Sequence, residues 1–192
     1  MDHIGTAKLA LRDQLQTARG RLAVPELTDR SLAIADLLLA TDEVRRAATV
    51  AAYASVGREP GTGFLLDRLA AAGKRVILPL LRPDDDLDWA VYNGAAALAS
   101  ARRGLLEPTT PALGVDAIGG ADVVIVPGLA VDGHGQRLGR GGGSYDRALA
   151  RVPVGTFTCV VLNDEEVLDA VPIAPHDRRV TAAVTESRLL RF

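Results

Sequence analysis

Hydrophobic and polar positions alternate between two regimes along the chain: the three-to-four spacing of amphipathic helices, and short solid apolar runs bounded by glycine, proline or charge. Leu11, Leu15, Ala18 and Leu22 recur at i, i+4, i+7 and i+11 and predict a first helix over residues 6–21, with a second beginning near Thr28 and Pro25 separating the two. The apolar run 49–55 predicts a short buried strand. Thr62 is placed to cap a helix over 63–72, Gly73 sits where a helix end favours glycine, and 76–81 predicts the next strand. Residues 88–92 suggest a further strand after the polar turn 83–86, and 95–106 suggest a short helix and a loop. DVVIVP at 122–127 is the clearest central strand, too short for a helix and rich in valine. After it come a helix over 145–150, a strand over 156–162, a helical turn over 164–168 and a terminal strand over 180–185.

Strands alternating with helices require crossovers, which favour parallel pairing with helices on both sheet faces. The expected architecture is one domain over residues 1–192, a three-layer α/β/α sandwich with a mostly parallel, Rossmann-like sheet. A composition of 48% hydrophobic and 24% charged residues over 192 positions agrees with one globular unit. The 22 basic and 24 acidic side chains leave a formal charge of -2, which provides no global attraction for nucleic acid or an anionic membrane. Cys159 is the single cysteine and excludes an intrachain disulfide or a Cys-rich zinc site. No apolar run reaches the roughly 18 residues of a membrane span, and charges at 1–12 occupy the place of a signal peptide's apolar stretch, so a cytoplasmic location is expected.

Glycine is unevenly spread: seven of nineteen lie in GLAVDGHGQRLGRGGG at 128–143, between the strongest strand and a helix. Ligands of open α/β sheets bind beyond the carboxyl ends of strands, where glycine-rich backbone can turn its amides toward phosphate. Arg137 and Arg140 add planar donors suited to phosphate oxygens, and Asp146 offers a hard oxygen ligand for magnesium. Neither a Walker A lysine nor a G-x-G-x-x-G placement is present, and glycine content alone fits a surface loop equally well. His134 and His176 read as turn residues, Cys159 as a buried small hydrophobe, and Ser144 has no visible Ser-His-Asp partners.

The string VPGLAVDGHGQRLGRGGGSYDRAL, together with KLALR near the start, YASVGREPGT in the middle and VPIAPHDRRV near the end, resembles the 5-formyltetrahydrofolate cyclo-ligase family over essentially the whole chain. The resemblance implies a ligase that converts 5-formyltetrahydrofolate and ATP to 5,10-methenyltetrahydrofolate, ADP and phosphate, with Mg2+. It assigns Lys8, Arg12, Arg137, Leu138, Gly139, Arg140, Gly141, Gly142, Gly143, Ser144 and Tyr145 to ATP. Ala54, Glu59 and the stretch from Arg140 to Ser144 fall to the folate, and Asp146 and Asp177 to the metal. Arg140 and Tyr145 are the expected catalytic residues. Read without the resemblance, Lys8 and Arg12 are a solvated basic face, Glu59 a loop acid and Asp177 a turn residue. The expected partners are the two small molecules, with neither nucleic acid nor membrane, and the expected state is a monomer.

Four positions depart from the family pattern. Ser144 stands where many members carry tyrosine, Gly142 where some carry lysine, Gly61 where the family loop is acidic, and Thr181 where an aspartate is common. Two other readings of the glycine segment are a sugar-phosphate isomerase or CoA-transferase-like α/β protein, which would not hydrolyse ATP, and a non-catalytic nucleotide-binding module.

Overall fold

The computed structural model describes residues 3–192. Within them the chain forms helices α1 (His3–Gly20), α2 (Val24–Ala40) and α3 (Asp42–Arg46), strand β1 (Thr49–Ala51), helix α4 (Gly63–Ala71), and the strand pair β2 (Arg75–Leu81) and β3 (Leu87–Val91). A small hairpin of β4 (Leu98–Ser100) and β5 (Leu106–Pro108) follows, then β6 (Val123–Pro127), β7 (Ala130–Asp132), β8 (Arg137–Leu138) and helix α5 (Ser144–Leu149). The chain continues through β9 (Phe157–Val161), β10 (Val167–Leu168), β11 (Ala182–Val184) and β12 (Leu189–Arg191).

The main sheet has the order β12-β11-β9-β6-β1-β2-β3. Its four interior junctions are parallel, and the two edges, β11 with β12 and β2 with β3, are antiparallel. The apolar runs of β1 and β6 supply both faces at once. Val50, Ala52, Val123 and Ile125 point to one face and pack with Ile34 and Leu38 of α2 and Leu65 and Leu69 of α4. Ala51, Val124 and Val126 point to the other, against Ala148 and Leu149 of α5 and Ile118. The strict two-residue alternation makes a solid hydrophobic strand serve two layers, and the mostly parallel three-layer sandwich is the observed fold. Truncating a fully buried side chain such as Leu38 would cost about 2–5 kcal/mol.

Several local expectations are corrected. Pro25 does not separate helices; it lies in the first turn of α2, where its missing amide has no intrahelical partner to lose, so α2 starts at Val24 rather than near Thr28. The buried stripe of α1 is not Leu11, Leu15, Ala18 and Leu22: Lys8, Leu15 and Arg19 are buried while Ala18 is exposed. Thr62 makes no side-chain cap; its hydroxyl donates to the Tyr53 carbonyl at 2.7 Å and accepts from the Ser55 amide at 2.9 Å. The strand expected over 49–55 ends at Ala51, the Ala52 amide still donating to the Ile77 carbonyl at 2.9 Å, and from Tyr53 the chain runs into that cross-linked loop. Residues 95–106 contribute to the β4–β5 hairpin, joined by 3-10 turns, and β12 rather than β11 is the last strand.

The first half of the glycine-rich segment is ordered pairing rather than loop. β7 pairs with β8, and Asp132 holds the turn between them, its Oδ1 accepting from the amides of His134 (2.9 Å) and Gln136 (3.1 Å). Gly135, at φ +74°, approaches the Val180 carbonyl so closely that a Cβ would lie 2.3 Å from it.

Candidate active site

Beyond the carboxyl ends of β1 and β6 lies a cavity of about 740 Å³. It is lined by Lys8, Arg12, Ala54, Glu59, Arg137, the run from Gly139 to Asp146, and Asp177, so residues far apart in sequence meet at one place. Leu138 is the exception. Its side chain packs with Leu15, Leu129, Ala130 and Val171 in a separate small core, and the carbonyl accepts the Leu129 amide at 2.7 Å.

Helix α1 brings its cations in on a single stripe. Lys8, Arg12, Leu15 and Arg19 are spaced i, i+4, i+7 and i+11, within a narrow arc of the helix surface. Lys8 pairs with Asp177, and Arg12 Nε donates to the Gly139 carbonyl at 2.8 Å, tying the helix to the glycine loop. Burial opposes ionisation of Asp177, but the Lys8 ammonium and the Ala174 amide outweigh it and hold the carboxyl below the ordinary aspartate range.

Arg19, buried at the far end of the stripe, was not singled out by the sequence reading. Its Nε lies 2.5 Å from Glu166 Oε1, and its Nη2 donates to Glu166 Oε2 and to the Gly128 carbonyl, each at 2.7 Å. Desolvation opposes the guanidinium charge, yet Glu166 more than restores it, so the Arg19 pKa is raised. The signal for this residue was the heptad-like spacing from Lys8, with charge in the place of an apolar residue.

Glu59 reaches the cavity because its loop is cross-braced. Thr62 bonds to both Tyr53 and Ser55, Ser55 Oγ accepts the Thr62 amide at 2.9 Å, and Glu59 Oε2 accepts the Val56 amide at 2.9 Å. The other oxygen, Oε1, lies 3.3 Å from Arg140 Nη2. Gly61, a departure from the family's acidic loop, has a local reason: a Cβ there would stand 2.5 Å from Ser31 Oγ, which accepts the Gly61 amide.

The loop 139–143 turns through Gly141 (φ +104°) and Gly143 (φ +68°), conformations that disfavour any side chain, and delivers Ser144 and Tyr145 into α5. Arg137, nearly buried, donates to the Pro127 carbonyl and to Asp146 Oδ1, both at 3.1 Å, and its guanidinium stands 5.9 Å from the Tyr145 ring centroid. Desolvation and the nearby Glu59 charge push the Tyr145 phenol well above its ordinary range, so it remains a neutral donor rather than a base.

Asp146 Oδ1 also accepts the Arg178 amide at 3.1 Å, and Asp177 Oδ2 accepts that of Ala174 at 2.6 Å. Asp146 therefore spends one oxygen on protein donors and keeps the second, while Asp177 spends Oδ2 and has Oδ1 3.7 Å from His176 Nε2. No group of three or more His, Cys, Asp or Glu side chains among the described residues forms a metal cage. Two carboxylates in a cavity with room for phosphate suit Mg2+, which takes few protein ligands and completes its shell with water and phosphate oxygens. Cys159 is buried and its thiol is pushed up by desolvation, which removes it as a nucleophile. His176 is exposed beside Asp177, and His134 sits in the β7–β8 turn.

A mostly parallel sheet with a cavity at its carboxyl edge that gathers charged side chains defines an α/β enzyme of small molecules. The family model of the 5-formyltetrahydrofolate cyclo-ligase family matches residues 4–186. A 5-formyltetrahydrofolate cyclo-ligase of Mycolicibacterium smegmatis is 45% identical over 145 residues, 73% of this chain and 74% of that protein. One from Escherichia coli K12 is 35% identical over 149 residues, 73% and 79% of the two chains. The solved structure of Aquifex aeolicus 5,10-methenyltetrahydrofolate synthetase matches with a TM-score of 0.82 at 27% identity, covering 96% of this chain and 92% of that one. The chain belongs to the 5-formyltetrahydrofolate cyclo-ligase family and is a ligase.

Proposed function

We propose that this enzyme closes 5-formyltetrahydrofolate to 5,10-methenyltetrahydrofolate with ATP as co-substrate and Mg2+ as cofactor, releasing ADP and phosphate. The supporting observation is the convergence of Glu59, Arg140, the glycine loop and the α1 cations on one cavity. The chemical obstacle is a formamide: its carbon is a poor electrophile and its oxygen a poor leaving group. Transfer of the γ-phosphoryl group to the formyl oxygen makes that oxygen leave as phosphate once N10 has attacked the carbon. Both steps ask mainly for alignment and charge stabilisation.

In this reading Glu59 and Ala54 hold the folate, with the Glu59 carboxylate accepting hydrogen bonds from its amino-pyrimidine edge. The glycine amides from Gly139 to Gly143 receive the phosphates, with Lys8, Arg12 and Arg137 balancing their charge. Arg140 and Ser144 stand between phosphate and folate. Arg140 stabilises charge on the group in transfer, and Tyr145 donates from a neutral phenol. Leu138 contributes only as the backbone carrying Arg137 and Gly139. Asp146 and Asp177 would hold Mg2+, which supplies charge neutralisation on the phosphates when bound.

One domain acting as a cytoplasmic monomer completes the proposal; no helix among the described residues is long and apolar enough to cross a membrane. The test is the absorbance of the methenyl product. Product is expected only when 5-formyltetrahydrofolate, ATP and Mg2+ are all present, and turnover without ATP, or none with it, rejects the reading.

A further inference from the structure

Among the described residues two non-glycine residues adopt left-handed φ, Asp85 at +63° and Arg103 at +59°, and they pair with each other: Arg103 Nη2 lies 2.7 Å from Asp85 Oδ1. This conformation is disfavoured for residues with a Cβ, so two instances meeting in one contact call for a common explanation. Asp85 sits in the β2–β3 turn, and Arg103 in the turn between β4 and β5. Both turns reach the glycine loop. Arg147 Nη2 donates to the Asp85 carbonyl at 2.6 Å and to the Gly142 carbonyl at 3.1 Å, while Arg103 Nη1 lies 3.8 Å from where a Cβ of Gly142 would be. The Arg103 side chain lines the cavity and is 53% exposed.

We infer that Arg103 is a further phosphate-binding residue of this site, a guanidinium brought over the glycine loop by the β4–β5 hairpin and held toward it by Asp85. The inference rests on the proposed ATP-dependent reading and extends it to an element outside the glycine segment and α1. Two of the other cavity cations are already committed, while Arg140 is as exposed as Arg103. Lys8 is tied to Asp177 and Arg137 to Asp146, both with nearly buried side chains, whereas Arg103 is half exposed and bound to an acid outside the cavity lining. Exchange of Asp85 for a phosphate oxygen needs only side-chain rotation, and a planar guanidinium can keep one edge on each. Gly142 leaves that approach open because it has no side chain.

Arg103→Gly removes the guanidinium and suits the left-handed backbone, so it tests the side chain without adding strain. The KM for ATP is expected to rise by about tenfold to a hundredfold, the range of one charge-assisted hydrogen bond, with the KM for 5-formyltetrahydrofolate within about twofold of wild type. Arg103→Lys should recover part of the loss. A KM for ATP that does not move in Arg103→Gly, or a shift no larger for ATP than for the folate, overturns the inference. The wild-type control separates the two levels: absence of ATP-dependent product there rejects the proposed function, whereas wild-type turnover with an unaffected Arg103→Gly rejects only the role of Arg103.

Discussion

Arg140 and Glu59 form an ion pair in the wall of the cavity, with the Glu59 side chain 8% exposed and that of Arg140 53% exposed. The pair joins the residue proposed to hold the folate to the one proposed to serve the phosphoryl group, so neither is free of the other before substrates bind. In Glu59→Gln the neutral amide loses the charge-assisted bonds on both sides. The KM for 5-formyltetrahydrofolate should rise by about tenfold or more, with a smaller change in KM for ATP. Steady-state kinetics in both substrates check this, and unchanged folate kinetics would remove Glu59 from the site.

Arg140 and Arg147 are both arginines of the glycine-loop region but have separate tasks. Arg140 reaches into the cavity, while Arg147 Nη2 braces the Asp85 and Gly142 carbonyls from outside. Arg140→Ala should lower kcat/KM by about a hundredfold to a thousandfold, the scale of losing a preorganised donor to developing charge. Arg147→Ala should cost about 1 kcal/mol of stability and less than about tenfold in kcat/KM. Equal losses in the two variants would contradict the assignment of Arg140 to the reacting group.

Metal dependence should be carried by Asp146 more cleanly than by Asp177. Asp177 neutralises nearly buried Lys8, so Asp177→Asn leaves that ammonium without its partner and confounds metal loss with destabilisation. Asp146→Asn keeps an oxygen for the Arg137 and Arg178 donors. A chelator should abolish turnover and added Mg2+ restore it. Asp146→Asn should raise the Mg2+ concentration for half-maximal rate by about tenfold or more. An unchanged Mg2+ titration in Asp146→Asn would exclude it as a ligand.

The sheet was legible because β6 is apolar without interruption and β1 nearly so, a pattern that fits a strand covered on both faces, and the glycine segment was legible from its place after β6. The hairpin β4–β5 was not, since its strands Leu98–Ser100 and Leu106–Pro108 are three residues each, too short to show a strand period, and Arg103 takes a backbone conformation typical of glycine. The inward face of α1 was misread for a different reason. Apolar spacing at Leu11, Leu15, Ala18 and Leu22 competes with a basic stripe of the same period, and tertiary pairing with Asp177 and Glu166 decides between them. Sequence periodicity ranks burial by hydrophobicity and therefore misses a helix that buries charge against charge.

That buried charge makes a stability prediction. Arg19 and Glu166 are 4% and 2% exposed at the side chain, and Glu166 also accepts the Asn163 amide at 2.8 Å. Glu166→Ala leaves a desolvated guanidinium and should cost about 3–5 kcal/mol in urea unfolding, while the double variant Arg19→Met with Glu166→Leu should recover most of it. Because α1 carries Lys8 and Arg12, the single variant should also raise the KM for ATP. A loss below about 1 kcal/mol in Glu166→Ala would mean that solvent reaches the pair.

Asp86 makes the pH dependence testable away from the cavity. Arg151 grips it with Nη1 on Oδ1 at 2.9 Å and Nη2 on Oδ2 at 2.6 Å, and that bond, ahead of the opposing effect of desolvation, holds its carboxyl below the ordinary aspartate value. A pKa lowered on folding means that the unfolded chain binds the proton more readily. The pair's stabilisation is therefore complete above the unfolded value of about 4 and disappears as pH falls through the lower folded value. Asp86→Asn should be less stable than wild type at neutral pH by about 1 kcal/mol, or roughly 2–4 °C in Tm. The difference should narrow as pH is lowered below about 4, because protonation takes from the wild type what the substitution has already removed. Tm measured for both proteins from neutral to acid pH gives the comparison, and parallel curves over that range would show that the Asp86–Arg151 pair has no part in acid sensitivity.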